Sequence, residues 1–214
     1  MIRTGAAAGI VGPTAFTGAW IASSLRQTGY PAAEIQISGL AAPDARDPWL
    51  MMAGFVVLGG CTVAFGAGLR DALGGTGAVS RSRWRDGAPR LIQGAGLLTI
   101  AAGLLRRDRM LLGPGSVSWH NHAHDVISAV IYVDLVLAQV LLAERFGRDP
   151  RWRPWRPWVL AGGLVTGAVL VAFAAETSAP GAGVLQRVAV TIPLAVIAAI
   201  SVRLLRLPAT LAVA

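Results

Sequence analysis

Trp49-Leu-Met-Met-Ala-Gly-Phe-Val-Val-Leu-Gly-Gly-Cys-Thr-Val-Ala-Phe-Gly-Ala-Gly-Leu69 runs for 21 residues without a charged side chain. A helix must be long and almost free of charge to cross the roughly 30 Å hydrocarbon layer of a bilayer, and this one meets both conditions. Five more stretches of the same character flank it: Ala7 to Leu25, Leu91 to Leu105, Asp125 to Ala143, Trp158 to Ala175 and Leu185 to Leu205. The third in chain order is short unless Met110 to Leu112 continue it. The first carries Pro13, which neighbouring helices accommodate inside a membrane. With 54% hydrophobic and only 14% charged residues, the composition excludes an ordinary soluble domain. The expected fold is all-α, a single domain over residues 1–214 built as an integral membrane bundle of six transmembrane helices.

The first stretch has an early charge, Arg3, as a secretory leader would. Its run is long, however, contains Pro13 and Trp20, and is followed by no convincing cleavage site, so a retained helix is expected. Basic residues collect on the cytoplasmic side of bacterial membrane proteins. With the N-terminus inside, 13 arginines fall on inner segments, among them Arg70, Arg81, Arg83, Arg85, Arg90 and the group from Arg145 to Arg156. Six fall outside: Arg26, Arg46, Arg106, Arg107, Arg109 and Arg187. Both termini are therefore expected in the cytoplasm of a multi-pass protein of the bacterial cytoplasmic membrane, with Arg106-Arg107-Asp108-Arg109 as the discordant element.

The basic and aromatic run from Arg145 to Trp158 has two readings, a patch for nucleic acid or anionic lipid, or a cytoplasmic loop whose tryptophans anchor the fifth helix. The second is preferred, which makes the net charge of +8 a signal of topology and leaves nucleic acid out of the expected partners. Gly74-Gly-Thr-Gly77 lacks the spacing and the lysine of a phosphate loop. The chain has no lysine at all, so Schiff-base chemistry is excluded. Its one cysteine, Cys61, sits in an apolar span and reads as a packing residue. No histidine lies mid-span, which argues against a haem held between helices. Asp134 is the clearest intramembrane carboxylate and should face a partner or a polar cavity.

All three histidines lie in Trp119-His-Asn-His-Ala-His-Asp125. If the fourth helix starts near Ser116 or Ser118, either serine caps it, His120 and His124 share one face a turn apart, and His122 points elsewhere. Two such histidines with a carboxylate can bind zinc, although the third ligand is not specified by the sequence. Alternatively, a histidine paired with Asp108, Asp125 or Glu176 can move a proton. The plain alternative is that these groups hydrogen-bond neighbouring loops at the membrane surface. Trp20, Trp49 and Trp119 fall near the same face, where an aromatic belt accounts for them. A sharper reading is a lipid pocket in which acids protonate the substrate and aromatic faces stabilise the resulting cation. No aspartate-rich motif for a magnesium-bound diphosphate accompanies it.

Ile37-Ser-Gly-Leu40, Trp49-Leu-Met-Met-Ala-Gly-Phe55, Trp119-His-Asn-His-Ala-His-Asp125, Arg148-Asp-Pro-Arg-Trp152 and Gly183-Val-Leu-Gln-Arg187 occur in this order around the spans. Together they resemble the bacterial and archaeal membrane proteins of domain-of-unknown-function family 998, over nearly the whole chain. The resemblance implies a six-helix membrane fold with no generally assigned activity. It matches His120, His124 and Asp125 to a histidine one turn before His-Asp, with Asn121 in place of a glycine, and Arg187 to the Gln-Arg phrase before the last span. Asp108 would correspond to an acid after the third span, but the proline and aromatic residue expected ahead of it are absent.

The functional expectation is an outer-face pocket acting on a lipid-like substrate, terpenoid included, by acid–base chemistry such as cyclisation or isomerisation. Asp108 or Glu176 would supply acid or base, His120 and His124 would relay a proton or bind a divalent metal such as zinc, and Asp125 would orient a histidine. Trp20, Trp49, Trp119 and Arg187 would line the substrate. The alternatives are a metal-dependent membrane hydrolase and a noncatalytic transporter or partner-binding component. The last would give weight to Asp134 and to the small residues of Leu160-Ala-Gly-Gly-Leu-Val-Thr-Gly167.

Overall fold

The apolar stretches fold as six α-helices in a computed structural model that describes residues 1–74, 87–111, 117–175 and 181–207. They are α1 (Ile2–Arg26), α2 (Pro48–Gly74), α3 (Gly87–Leu104), α4 (Trp119–Arg148), α5 (Arg156–Ala175) and α6 (Ala182–Arg206). Short 3-10 turns cover Ile37–Ala41 and Arg153–Trp155, and there is no strand among the described residues. Four segments are long and apolar enough to cross a membrane: Pro48–Gly74, Trp119–Arg148, Arg153–Ala175 and Ala182–Arg206. The chain is an all-helical membrane protein. Glu176, Ser116, Gly75 to Gly77 and Arg81, Arg83 and Arg85 lie outside the described residues.

Each helix packs on its neighbours in sequence, and α6 returns to α1, so the six close into a ring. Short connections between antiparallel helices favour this order. Glycines let the backbones approach. A Cβ on Gly59 would lie 2.5 Å from the carbonyl oxygen of Gly96, and one on Gly96 would lie 2.7 Å from that of Gly59, so α2 and α3 touch backbone to backbone. Phe16, Met51, Phe65, Leu69, Leu142 and Ile200 fill the interior between such crossings.

α4 begins at Trp119, six residues ahead of the apolar span read from Asp125, because Ser118, one of the two expected caps, is in extended conformation and accepts from the Asn121 amide. At the opposite end of the bundle, the Arg145 to Trp158 run is folded structure and not only an anchoring loop. Trp152 is fully buried and stacks on Phe146 at 4.5 Å, while Arg151 grips Asp149 through its guanidinium and its backbone amide. Burial works to raise the Asp149 carboxyl, and the Arg151 bonds outweigh it, holding that group below the usual carboxylate range. Trp158 is exposed, as an interfacial anchor would be.

Candidate functional site

The ends of α1, α3 and α5 and the starts of α2, α4 and α6 lie together at what we term the histidine end. Among the described residues, two segments cover it. The buried turn Ile37–Ala41 packs over the ring, and the α3–α4 connection lies against it so tightly that a Cβ on Gly39 would meet the Met110 carbonyl oxygen at 2.5 Å. α6 holds this cover down. The Ile37 amide donates to Gln186 Oε1 at 2.6 Å, and Arg187 donates to the carbonyls of Ile35 and Gly183 and to the Tyr30 hydroxyl, each at 2.8 Å. The Arg187 guanidinium also stands over the Trp20 and Tyr30 rings. Arg187 and Trp20 thus clamp the cover. The partners of Arg187 are carbonyls, a phenol and two rings, where sequence reasoning had it line the substrate. Trp49 and Trp119 are largely exposed, and Trp119 lies edge-on to His120.

Asp108, Ser118 and His120 form one network at the start of α4. Ser118 donates its amide and its hydroxyl to the two carboxylate oxygens of Asp108. A hydroxyl has one proton and two acceptor sites, so with its proton given to Asp108 the Ser118 Oγ must accept from His120 Nδ1 at 2.7 Å as it does from the Asn121 amide. This fixes a proton on His120 Nδ1, which stands 3.3 Å from Asp108. The two Ser118 bonds, side chain first, hold the Asp108 carboxyl below its usual range, helped by the charges of His120 and His122. A depressed carboxyl contributes stability in full above the ordinary carboxylate range and loses it as the pH falls through the depressed value. The Ser118 and Asn121 amides are accordingly expected to stay protected from hydrogen exchange at neutral pH and through the ordinary carboxylate range. They should lose protection below it, and Asp108→Asn should remove most of the protection at neutral pH.

Asn121, fully buried, ties this network inward, accepting from the Asp108 amide at 3.1 Å and donating to Asp125 Oδ2 at 2.9 Å. Asp125 is therefore bonded to Asn121, not to a histidine. His122 is exposed, as its place in the helix predicts. His120 and His124 share a helix face but engage different partners. His124 is 2% exposed, and its Nδ1 lies 2.9 Å from the carbonyl oxygen of Ala102 and 2.8 Å from that of Leu105. Carbonyls only accept, so Nδ1 carries the proton, and in the neutral ring Nε2 carries the lone pair. Nε2 makes no hydrogen bond among the described residues, and the Phe55 ring meets the imidazole edge-on.

That free nitrogen belongs to a ring that borders two cavities. A chamber inside the helix ring is walled by apolar side chains such as Phe16, Phe55, Leu58, Leu135, Leu194 and Ile197. A larger space lies between α4, α5 and the cover. Ser38, His124, Ser128, Tyr132 and Gln186 line both. His124, Ser128 and Tyr132 follow one another at intervals of four, a polar stripe down the inner face of α4. Sequence reasoning missed Ser128, Tyr132 and Gln186. The stripe's spacing was a readable signal for the first two, whereas nothing local in sequence brings Gln186 to them.

Among the described residues, no three His, Cys, Asp or Glu side chains gather closely enough to hold a metal ion. Both candidate histidines already commit Nδ1 to hydrogen bonds, which leaves one ring nitrogen each. The set does not make a zinc site by itself.

No curated protein and no solved structure matches the chain. The family model described as a protein of unknown function, DUF998, matches residues 10–203, and the chain belongs to that family.

Proposed function

We propose that this protein binds a lipid-like molecule in the chamber at its histidine end and acts on it by acid–base chemistry, with His124 as the base. In this reading all six helices span the membrane as one unit, the termini are cytoplasmic and the histidine end faces outward. α3 supports the count, since 18 residues make a helix about 27 Å long, close to the hydrocarbon thickness. The arginine-rich opposite end supports the orientation.

One observation carries the functional reading. An imidazole buried in the bundle has its Nδ1 held by two backbone carbonyls, leaves Nε2 without a hydrogen bond among the described residues, and lines a space that is apolar on most sides. A general base needs a lone pair, a fixed orientation and shelter from bulk water, and His124 has all three. The hydroxyls of Ser128 and Tyr132, which line the same space, are the candidates to return a proton to the substrate, which suits an isomerisation. Asp108, Ser118 and His120 then position α4 and the loop around His124 and do not meet the substrate. Asp125 acts through Asn121.

Proton removal and return in heavy water exchanges a substrate hydrogen for deuterium. Protein reconstituted in vesicles of bacterial lipid extract in D2O is expected to place deuterium in one lipid species, and His124→Ala should abolish this while His120→Ala leaves most of it. A lipid pool that gains no deuterium with the wild-type protein above protein-free vesicles would remove acid–base chemistry from the reading.

A further inference from the structure

The way α5 sits against its neighbours bears on how a ligand reaches the chamber, and Arg107 bears on what kind of ligand it is. In its first half α5 packs closely. A Cβ on Gly162 would meet Gln139 Oε1 and Val196 Cγ2 at 2.8 Å, and one on Gly163 would meet Gln139 Cβ at 3.1 Å. Its buried residues, Val159, Gly163 and Thr166, all lie before Gly167. Beyond Gly167 no residue of α5 is buried, and the larger cavity opens there, bordered by Leu170, Phe173 and Ala174 of α5 and by Ala129 and Tyr132 of α4. Glycines thus pin the helices at one level and the pair parts above it. The wedge between them meets the chamber at His124, Ser128 and Tyr132.

Arg107 borders the same wedge. Its side chain is 7% exposed, and its one hydrogen bond among the described residues runs from Nη1 to Gln36 Oε1 at 2.7 Å. Nε is buried without an acceptor, and no carboxylate of the described residues comes within ion-pairing distance, 4 Å, of the guanidinium. Asp108 and Asp125 act on it only through their fields. Glu34 and Asp125 also border the wedge, but both are exposed to solvent, and Asp125 is already bonded to Asn121. A buried guanidinium short of acceptors is the group here with the most to gain from an anionic oxygen.

We propose that a single-chain amphiphile with an acidic headgroup, a carboxylate or phosphate monoester, slides in sideways between the histidine-end halves of α4 and α5. Its headgroup oxygens rest on Arg107 and its chain lies in the apolar chamber beside His124. This rests on the lipid-like ligand of the preceding reading and adds the headgroup charge and the route.

Two probes test it: palmitic acid carrying a photoreactive diazirine in its chain, and the equally tagged hexadecanol. Each is added to phosphatidylcholine vesicles containing the full-length protein, irradiated, and mapped by peptide mass spectrometry. The acid is expected to label chamber residues of α4 and α6 about tenfold more than the alcohol, the size of effect that a charge-assisted hydrogen bond gives. Arg107→Gln should bring the two probes close to parity while the alcohol still labels, which shows the chamber intact. Ala129→Trp, at an exposed position on the wedge, should cut chamber labelling by both probes several-fold. Equal labelling by acid and alcohol in the wild type would overturn the acidic headgroup, and this comparison decides even if Arg107→Gln does not fold. Chamber labelling unchanged by Ala129→Trp would overturn the sideways route. Either result leaves the lipid reading standing, whereas no chamber labelling by either probe takes down both.

Discussion

Gly96→Leu is expected to prevent assembly of the helix ring, and Gly96→Ala to cost about 1–3 kcal/mol, the range typical of overpacking. The atom a new Cβ meets at position 96 is the Gly59 carbonyl oxygen at 2.7 Å, with the Val63 amide nitrogen at 2.9 Å. Both are backbone atoms of α2, and backbone cannot swing aside as a side chain does. Relief requires α2 and α3 to separate, and Phe55, Leu58 and Thr62 of α2 face the chamber opposite Ala95 and Thr99 of α3, so separation also opens the chamber wall. Gly60 supplies the control on the same helix. A Cβ there meets nothing within 4 Å, and Gly60→Ala should be neutral or stabilise by about 0.5–1 kcal/mol through helix propensity. Loss of helical circular dichroism during titration with a denaturing detergent ranks the variants. Equal resistance of Gly96→Ala and Gly60→Ala would contradict this crossing.

His124→Phe has the second large effect, and it divides into two parts. Phenylalanine fills a similar volume but donates nothing, so the carbonyls of Ala102 and Leu105 at the end of α3 lose their bond from Nδ1. Leaving a buried acceptor unpaired costs about 1–3 kcal/mol, a loss the fold should survive with a lowered melting temperature. The functional part is complete, because Phe has no lone pair to put in the place of Nε2, and any polar ligand group seated there loses its partner. His120→Ala is expected to be milder on both counts. Its ring is half-exposed and engages the Ser118–Asp108 network at the rim, and Ser118 keeps its bonds to Asp108 without it. A shared loss in both variants would mean that the two histidines work as one unit after all.

The helices were legible because each is an uninterrupted apolar run, and the Ser118 cap was legible because a serine three residues before Asn121 is a local signal. The position of the site was legible in part. Sequence placed the histidines at one end of the bundle and put His120 and His124 on one face, yet it treated them as equals. The difference comes from partners distant in sequence: carbonyls of α3 for His124, and a loop carboxylate for His120. Arg187 reads in sequence as a residue lining the substrate, and in the fold it satisfies carbonyls exposed by the tightly turned cover. Arg107 sat in the arginine cluster that disagreed with the topology rule. In the fold it is buried beside the wedge.

The most direct measurement is mass spectrometry of the lipid that remains with protein purified in mild detergent, comparing wild type, His124→Phe and His120→Ala. The chamber account predicts one species enriched in near-stoichiometric amount over the bulk membrane lipids, retained by His120→Ala and lost from His124→Phe. Bulk membrane lipids in the same proportions in all three preparations would contradict it.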